Sequence, residues 1–157
     1  MKKISFFGHR CLWGVDIRER IEKTIMANLD KETQFLIGTH GEFDRLALSI
    51  CKGLRKIYPE IKITVVFTNL SFLKRNKNSI CGFYDDFQTM VYEIEEEHYK
   101  NKIIVSNRKM IDESDLIICY VNMKEQKSGA KMAVRYASRK GKMVINLFDE
   151  LSVEKRR

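Results

Sequence analysis

A Rossmann-like α/β fold, doubly wound around a mainly parallel sheet with helices on both faces, is predicted by three observations. Short apolar runs alternate with segments of helical period along the whole chain. Most of those runs are apolar on both faces, as strands covered from two sides must be. Glycine-containing loops follow the first, second and fourth of them.

The first strand is "KISFF", Lys3–Phe7, closed by Gly8. Ile17, Ile21, Ile25 and Leu29 then recur at four-residue spacing and predict an amphipathic helix over Val15–Leu29. "QFLIG", Gln34–Gly38, is the second strand. Phe43, Leu46, Ala47, Ile50, Leu54 and Ile57 mark one face of a second helix, stopped near Tyr58 by Pro59. The β-branched run Ile61–Phe67 is the third strand. Between Thr68 and Ser114 the pattern is weakest: "DDFQTMVYEIEEEHY" has helical character, and a short helix is expected at "NRKMIDE". Asp115–Val121 is the fourth strand. Ala130, Ala133, Val134 and Ala137 form the small face of a further helix ended by Gly141, and Lys142–Phe148 is the fifth strand. Right-handed crossovers give these strands the order 3-2-1-4-5. One domain is expected over residues 1–150, followed by a basic tail at 151–157.

Composition narrows the function. Hydrophobic residues at 44% and charged residues at 32% exclude a disordered chain. No apolar run approaches the length of a membrane span, and the one behind Met1-Lys2-Lys3 is too short for a signal-peptide core. A cytoplasmic protein without membrane contact is therefore expected. Cys11, Cys51, Cys81 and Cys119 are far apart and form no CxxC, so no metal site is expected, and Cys51 and Cys119 suit a reduced core. The formal charge of +8 favours anionic partners. The sign reverses locally at "EIEEEH", so no continuous basic stripe is evident, and nucleic acid ranks behind a small phosphorylated ligand.

In the 3-2-1-4-5 order the winding reverses between strands one and four, and ligands of such folds bind outside the carboxyl ends of the strands at that point. The candidate binding residues lie there: Gly8, His9 and Arg10 after strand one, Gly38, Thr39 and Gly41 after strand two, and Ser128 and Gly129 at a helix start after strand four. Helix N-termini and close-approaching glycines suit a phosphate. Arg108 is a further candidate clamp. Glu42, Asp44 and His40 are the groups near these loops able to serve acid–base or nucleophilic chemistry. Structural roles compete with these assignments: Thr39 with Glu42 matches a capping box, Ser128 an N-cap, and Ser114-Asp115 a turn at the amino end of strand four. Trp13 and Tyr84 are candidates to stack on a base, against core or interface roles.

"FFGHR", "GTHGEFDRLAL", "NRKMIDESDLIICYV" and "SGAKMAVRYASRKGKMVINL" resemble the YpsA-like branch of the SLOG superfamily, in order from about Ile4 to Leu147. The resemblance implies a Rossmann-like fold related to LOG-type phosphoribohydrolases and to DprA, with a nucleotide-derived ligand such as NAD or ADP-ribose, no required cofactor, and a homo-oligomer. The family's first loop maps onto Gly8, His9 and Arg10, and its second onto Gly38, Gly41, Phe43 and Asp44. The glycine pair of relatives becomes Ser128-Gly129 here, and the PGGxGTxxE signature of LOG enzymes is missing. Three functions follow in order: nucleotide binding or sensing, an N-glycosidase or transferase acting on nucleosides or nucleotides, and a DprA-like single-stranded DNA module.

Overall fold

The structure is a computed structural model that describes residues 1–68, 87–92, 99–125 and 128–148. Among the described residues, six strands and four helices follow one another as β1 (Lys2–Gly8), α1 (Arg18–Asn28), β2 (Thr33–Ile37), α2 (Glu42–Ile57), β3 (Lys62–Phe67), β4 (Gln88–Val91), α3 (Tyr99–Glu113), β5 (Leu116–Tyr120), α4 (Gly129–Arg139) and β6 (Met143–Asn146). The strands form one sheet of order β4-β3-β2-β1-β5-β6, and every pairing in it is parallel.

The five strands read from sequence keep their expected order, and β4 adds an edge beside β3. Gln88–Val91 therefore corrects the helical reading of that stretch. Thr64 pairs with Gln88 and Phe67 with Val91, so an open parallel edge dictates strand geometry where local period suggested helix. Residues 93–98 of the same stretch lie outside the described residues. A second correction concerns α3, which runs from Tyr99 through Glu113 as one helix rather than a short one at Asn107–Glu113. α1 starts at Arg18, later than expected, because a turn closed by Val15 N–H to the Leu12 carbonyl (3.0 Å) occupies the preceding residues. Tyr84, Cys81 and the tail at 151–157 lie outside the described residues.

Strand alternation sends Ile4, Phe6, Phe35, Ile37, Ile63, Val65, Leu116 and Ile118 to one face, where α1 and α2 cover them with Ile21, Ile25, Phe43, Ala47, Cys51 and Leu54. Phe7, Leu36, Val66, Ile117 and Cys119 point the other way, under Met110 and Ile111 of α3 and Ala133, Val134 and Ala137 of α4. Each large side chain so buried stabilises the fold by roughly 1.5–3 kcal/mol. The small alanine face of α4 suits its packing against the sheet. Cys51 and Cys119 are buried in the two cores, and burial pushes the Cys51 thiol pKa up. Among the described residues, no helix is long and apolar enough to cross a membrane.

At the amino edge, Ser114 and Asp115 turn the chain from α3 into β5. The Ser114 hydroxyl donates to the Met110 carbonyl (2.6 Å) and also hydrogen-bonds Ser5 Oγ. Asp115 Oδ2 accepts from Lys3 N–H at 2.9 Å, and Asp115 N–H returns a bond to the Lys3 carbonyl at 2.8 Å. The interesting chemistry lies at the opposite edge.

Candidate functional site

β1 ends at Gly8 because α2 packs onto it: a Cβ there would lie 2.3 Å from Phe43 Cγ. Gly41 is required twice over. Its φ is +127°, and a Cβ would come 2.4 Å from Arg10 Cα, so the loops after β1 and β2 cross backbone against backbone. Glu42 fastens that crossing. Its N–H donates to the Arg10 carbonyl (2.9 Å), while its Oε2 accepts from Leu12 N–H (2.9 Å). The glycines at these two loops thus serve the meeting of protein chain with protein chain. Gly129 differs, since a Cβ at its position would meet nothing within 4 Å.

Between these loops lies a cavity of about 340 Å³ at the switch point between β1 and β5. The β1 end contributes Phe6, Phe7, Gly8, His9 and Arg10, and the β2–α2 loop contributes Gly38, His40 and Asp44. Ser128, Gly129 and Ala130 bring the start of α4, and α3 supplies Ile103 and Asn107.

The α4 terminus is an anion-ready group. Ser128 is its N-cap, with Oγ accepting from Lys131 N–H at 2.9 Å and the Ser128 carbonyl accepting from Met132 N–H at 3.1 Å. That leaves the Gly129 and Ala130 N–H groups without an acceptor in the helix, as the first donors of any helix are. They line the cavity at the positive end of the α4 dipole. Arg10, exposed at the rim, makes no side-chain hydrogen bond or ion pair among the described residues.

The β2–α2 loop supplies the titratable groups. Asp44 is buried, and its Oδ2 accepts from His40 N–H at 2.8 Å. Burial raises its pKa to about 6, against the smaller opposing effects of that hydrogen bond and of Arg45. His40 Nε2 stands 2.6 Å from Thr68 Oγ1, and burial, aided by the charge of Arg10, lowers its pKa. The neutral imidazole is therefore favoured near pH 7. Thr39 Oγ1 is buried without a hydrogen-bond partner among the described residues.

His9 has a structural duty as well as a place in the wall. Its N–H donates to the Tyr120 carbonyl at 3.3 Å, and its Nε2 accepts from Asn122 N–H at 2.8 Å. The ring proton of the neutral form therefore sits on Nδ1, which lies 3.6 Å from Glu125 Oε2. The imidazole staples the loop after β1 to the loop after β5.

Of the residues singled out in the sequence, the fold brings Gly8, His9, Arg10, Gly38, His40, Asp44, Ser128 and Gly129 into one cavity wall. Thr39, Gly41 and Glu42 stand behind that wall and shape its loops. The capping box weighed for Thr39 and Glu42 as a competing structural role does not form, because α2 is capped by Gly41 and Glu42 turns to Leu12. Arg108 points away from the cavity, its guanidinium 5.1 Å from the ring centre of Tyr136. Trp13 is 85% exposed at a turn and does not line the cavity. Asn107 and Ile103 were missed. Their four-residue spacing on α3 puts both on one face, a signal available once the helix is known to extend back to Tyr99.

The fold is similar to that of DNA processing protein A (DprA) from Streptococcus pneumoniae, with a TM-score of 0.61 at 17% sequence identity. That likeness covers 91% of this chain and 49% of the other, so the chain spans about half the length of the protein it matches. It shows a DprA-like, Rossmann-like α/β fold. No protein-family model matches the chain, and no curated protein sequence matches it significantly.

Proposed function

We propose that this protein binds a nucleotide or nucleotide-derived ligand of the NAD or ADP-ribose kind in the switch-point cavity. The observation that carries the reading is the convergence of two unpartnered α4 amides with the uncommitted guanidinium of Arg10 at one cavity. A phosphate set there receives helix-terminal N–H bonds and a charge-assisted bond from arginine. The volume of about 340 Å³ falls in the range of small-molecule sites, near its lower end.

Asp44 and His40 favour a second reading, an N-glycosidase or transferase. A carboxyl with a pKa of about 6 at the cavity wall is suited to move between acid and base near neutral pH. The likeness to a DNA processing protein, together with the +8 charge, makes nucleic acid the third ligand class.

Calorimetric titration with AMP, NAD, ADP-ribose and cyclic ADP-ribose isomers tests the reading, with mass spectrometry of each mixture afterwards. Binding of at least one ligand, weakened about tenfold or more in Arg10→Ala, is expected from the loss of one charge-assisted bond. Ligand recovered intact means binding alone, whereas free base means the second reading. Failure of every phosphate-bearing ligand to bind would overturn the cavity assignment.

A further inference from the structure

The cavity sets a carboxyl against an anion-ready helix end. Gly129 and Ala130 of α4 line one part of its wall, with Arg10 at the rim, while Asp44 of α2 lines the part that follows β2. Asp44 is 9% exposed and packs over Gly38, where a Cβ would come 3.1 Å from its Oδ2. Among the described residues its carboxyl accepts one hydrogen bond, from His40 N–H, and makes no ion pair.

The charged and titratable neighbours of Asp44 leave that carboxyl uncompensated. Arg45, next to it on α2, favours the ionised form by less than burial opposes it. Glu42, two residues earlier, is turned to Leu12 N–H. His40, in the same loop, meets Thr68 Oγ1 at the end of β3 and is favoured as the neutral ring. From the loop after β1, Arg10 stands exposed, and His9 is held between Asn122 N–H and Glu125. α3 and α4 present Ile103, Asn107, Ser128, Gly129 and Ala130 to the cavity, all uncharged.

An ionised Asp44 and a bound phosphate therefore oppose each other. A cavity of about 340 Å³ is roughly 9 Å across if taken as a sphere, and at an effective dielectric of about 20 two like charges that far apart weaken binding about twentyfold. A protonated carboxyl carries no such repulsion, and its O–H can donate to a ligand oxygen. Closing the cavity with a ligand also removes water from Asp44, which disfavours the charged form further.

We propose that an anionic ligand enters this cavity together with a proton: Asp44 takes up one proton from solvent as the ligand binds, so the cavity holds its ligand more tightly in mildly acid than in mildly alkaline solution. The coupling rests on the reading of the cavity as an anion site, and it makes Asp44 the residue that selects for ligand charge.

Calorimetry with ADP-ribose and NAD from about pH 5 to pH 8, in two buffers of different ionisation enthalpy at each pH, tests this. The phosphates of both ligands are diesters of fixed charge over that range, whereas a monoester loses its second proton near about pH 6. Affinity should fall about tenfold or more from pH 5 to pH 8, and the buffers should report about half a proton or more taken up per ligand near pH 6.7. In Asp44→Asn both effects should be lost, with affinity at every pH close to that of the native chain at pH 5. On the native chain, ¹³C NMR of the Asp44 carboxyl should show its titration midpoint moving to higher pH when ADP-ribose is added, a readout that stands even if the variant fails to fold. Binding without proton uptake, uptake that persists in Asp44→Asn and so belongs to His9 or His40, or a midpoint that falls on binding would each overturn the coupling while leaving the cavity reading intact. If AMP alone binds, the difference between native and variant profiles cancels the titration of its own phosphate, and equal profiles overturn the coupling. Failure of all three ligands at every pH overturns the coupling and the cavity reading together.

Discussion

Replacing Asp44 by asparagine should stabilise the protein at neutral pH, by an amount that depends on pH in a defined direction. The carboxyl titrates near 3.8 when unfolded and near 6 in the fold, because burial penalises its charge. At 1.36 kcal/mol per pKa unit, the difference amounts to about 3 kcal/mol. Between those values the native state binds more protons than the unfolded state, so the Asp44 contribution to stability falls as pH rises from 3.8 to 6. Below that window the acid is neutral in both states and carries no penalty. Above it the full penalty applies. The side-chain amide of Asp44→Asn would keep an oxygen able to accept from His40 N–H and would carry no charge at any pH. Urea denaturation of both proteins from pH 4 to 8 isolates the effect, because the other carboxylates are common to the pair. The variant should gain up to about 3 kcal/mol over the native chain by pH 7.5, with the gain shrinking toward zero near pH 4. A stability difference that is independent of pH, or a variant less stable at pH 7.5 than at pH 4 relative to the native chain, would refute the reasoning.

Two further substitutions probe the scaffold of the site. Gly8→Ala places a methyl 2.3 Å from Phe43 Cγ and should cost about 1–3 kcal/mol in thermal or urea denaturation; a double-mutant cycle with Phe43→Leu should show favourable coupling, since the smaller side chain frees that space. Ser128→Ala removes the acceptor for Lys131 N–H and should cost about 1 kcal/mol by the same measurement.

The sequence carried the fold because the strands that matter are buried on both faces and say so locally. Ile117–Cys119 and Ile63–Phe67 are apolar at every position, or nearly so, and no other arrangement satisfies such runs as well as a covered parallel sheet. β4 was not legible, because its half-buried residues take strand form only through the edge of β3. The cavity was legible as a place and less so in its parts. Gly8 was expected to let a ligand approach, and its missing Cβ also makes room for Phe43, a contact between elements thirty-five residues apart that no local pattern reveals. Arg108 and Asn107 are adjacent in sequence, but one helical step of about 100° separates them. That rotation puts Asn107 in the cavity and Arg108 over Tyr136.

The two edges of the sheet treat buried polar groups in opposite ways, and this bears on the proposal that a ligand binds at the carboxyl edge. At the amino edge Ser5, Ser114 and Asp115 are all satisfied by near neighbours. At the carboxyl edge Thr39 Oγ1 has no partner among the described residues, a defect costing about 1–3 kcal/mol. Asp44 sits in the first turn of α2, where the helix dipole favours a carboxylate, and also accepts a backbone hydrogen bond, yet burial still raises its pKa to about 6. A loop selected for stability alone would replace both at small cost to packing, with valine for Thr39 and asparagine for Asp44. Their presence together on the β2–α2 loop, with uncommitted amides of α4 lining the same cavity, concentrates unsatisfied polar capacity where a ligand would satisfy it.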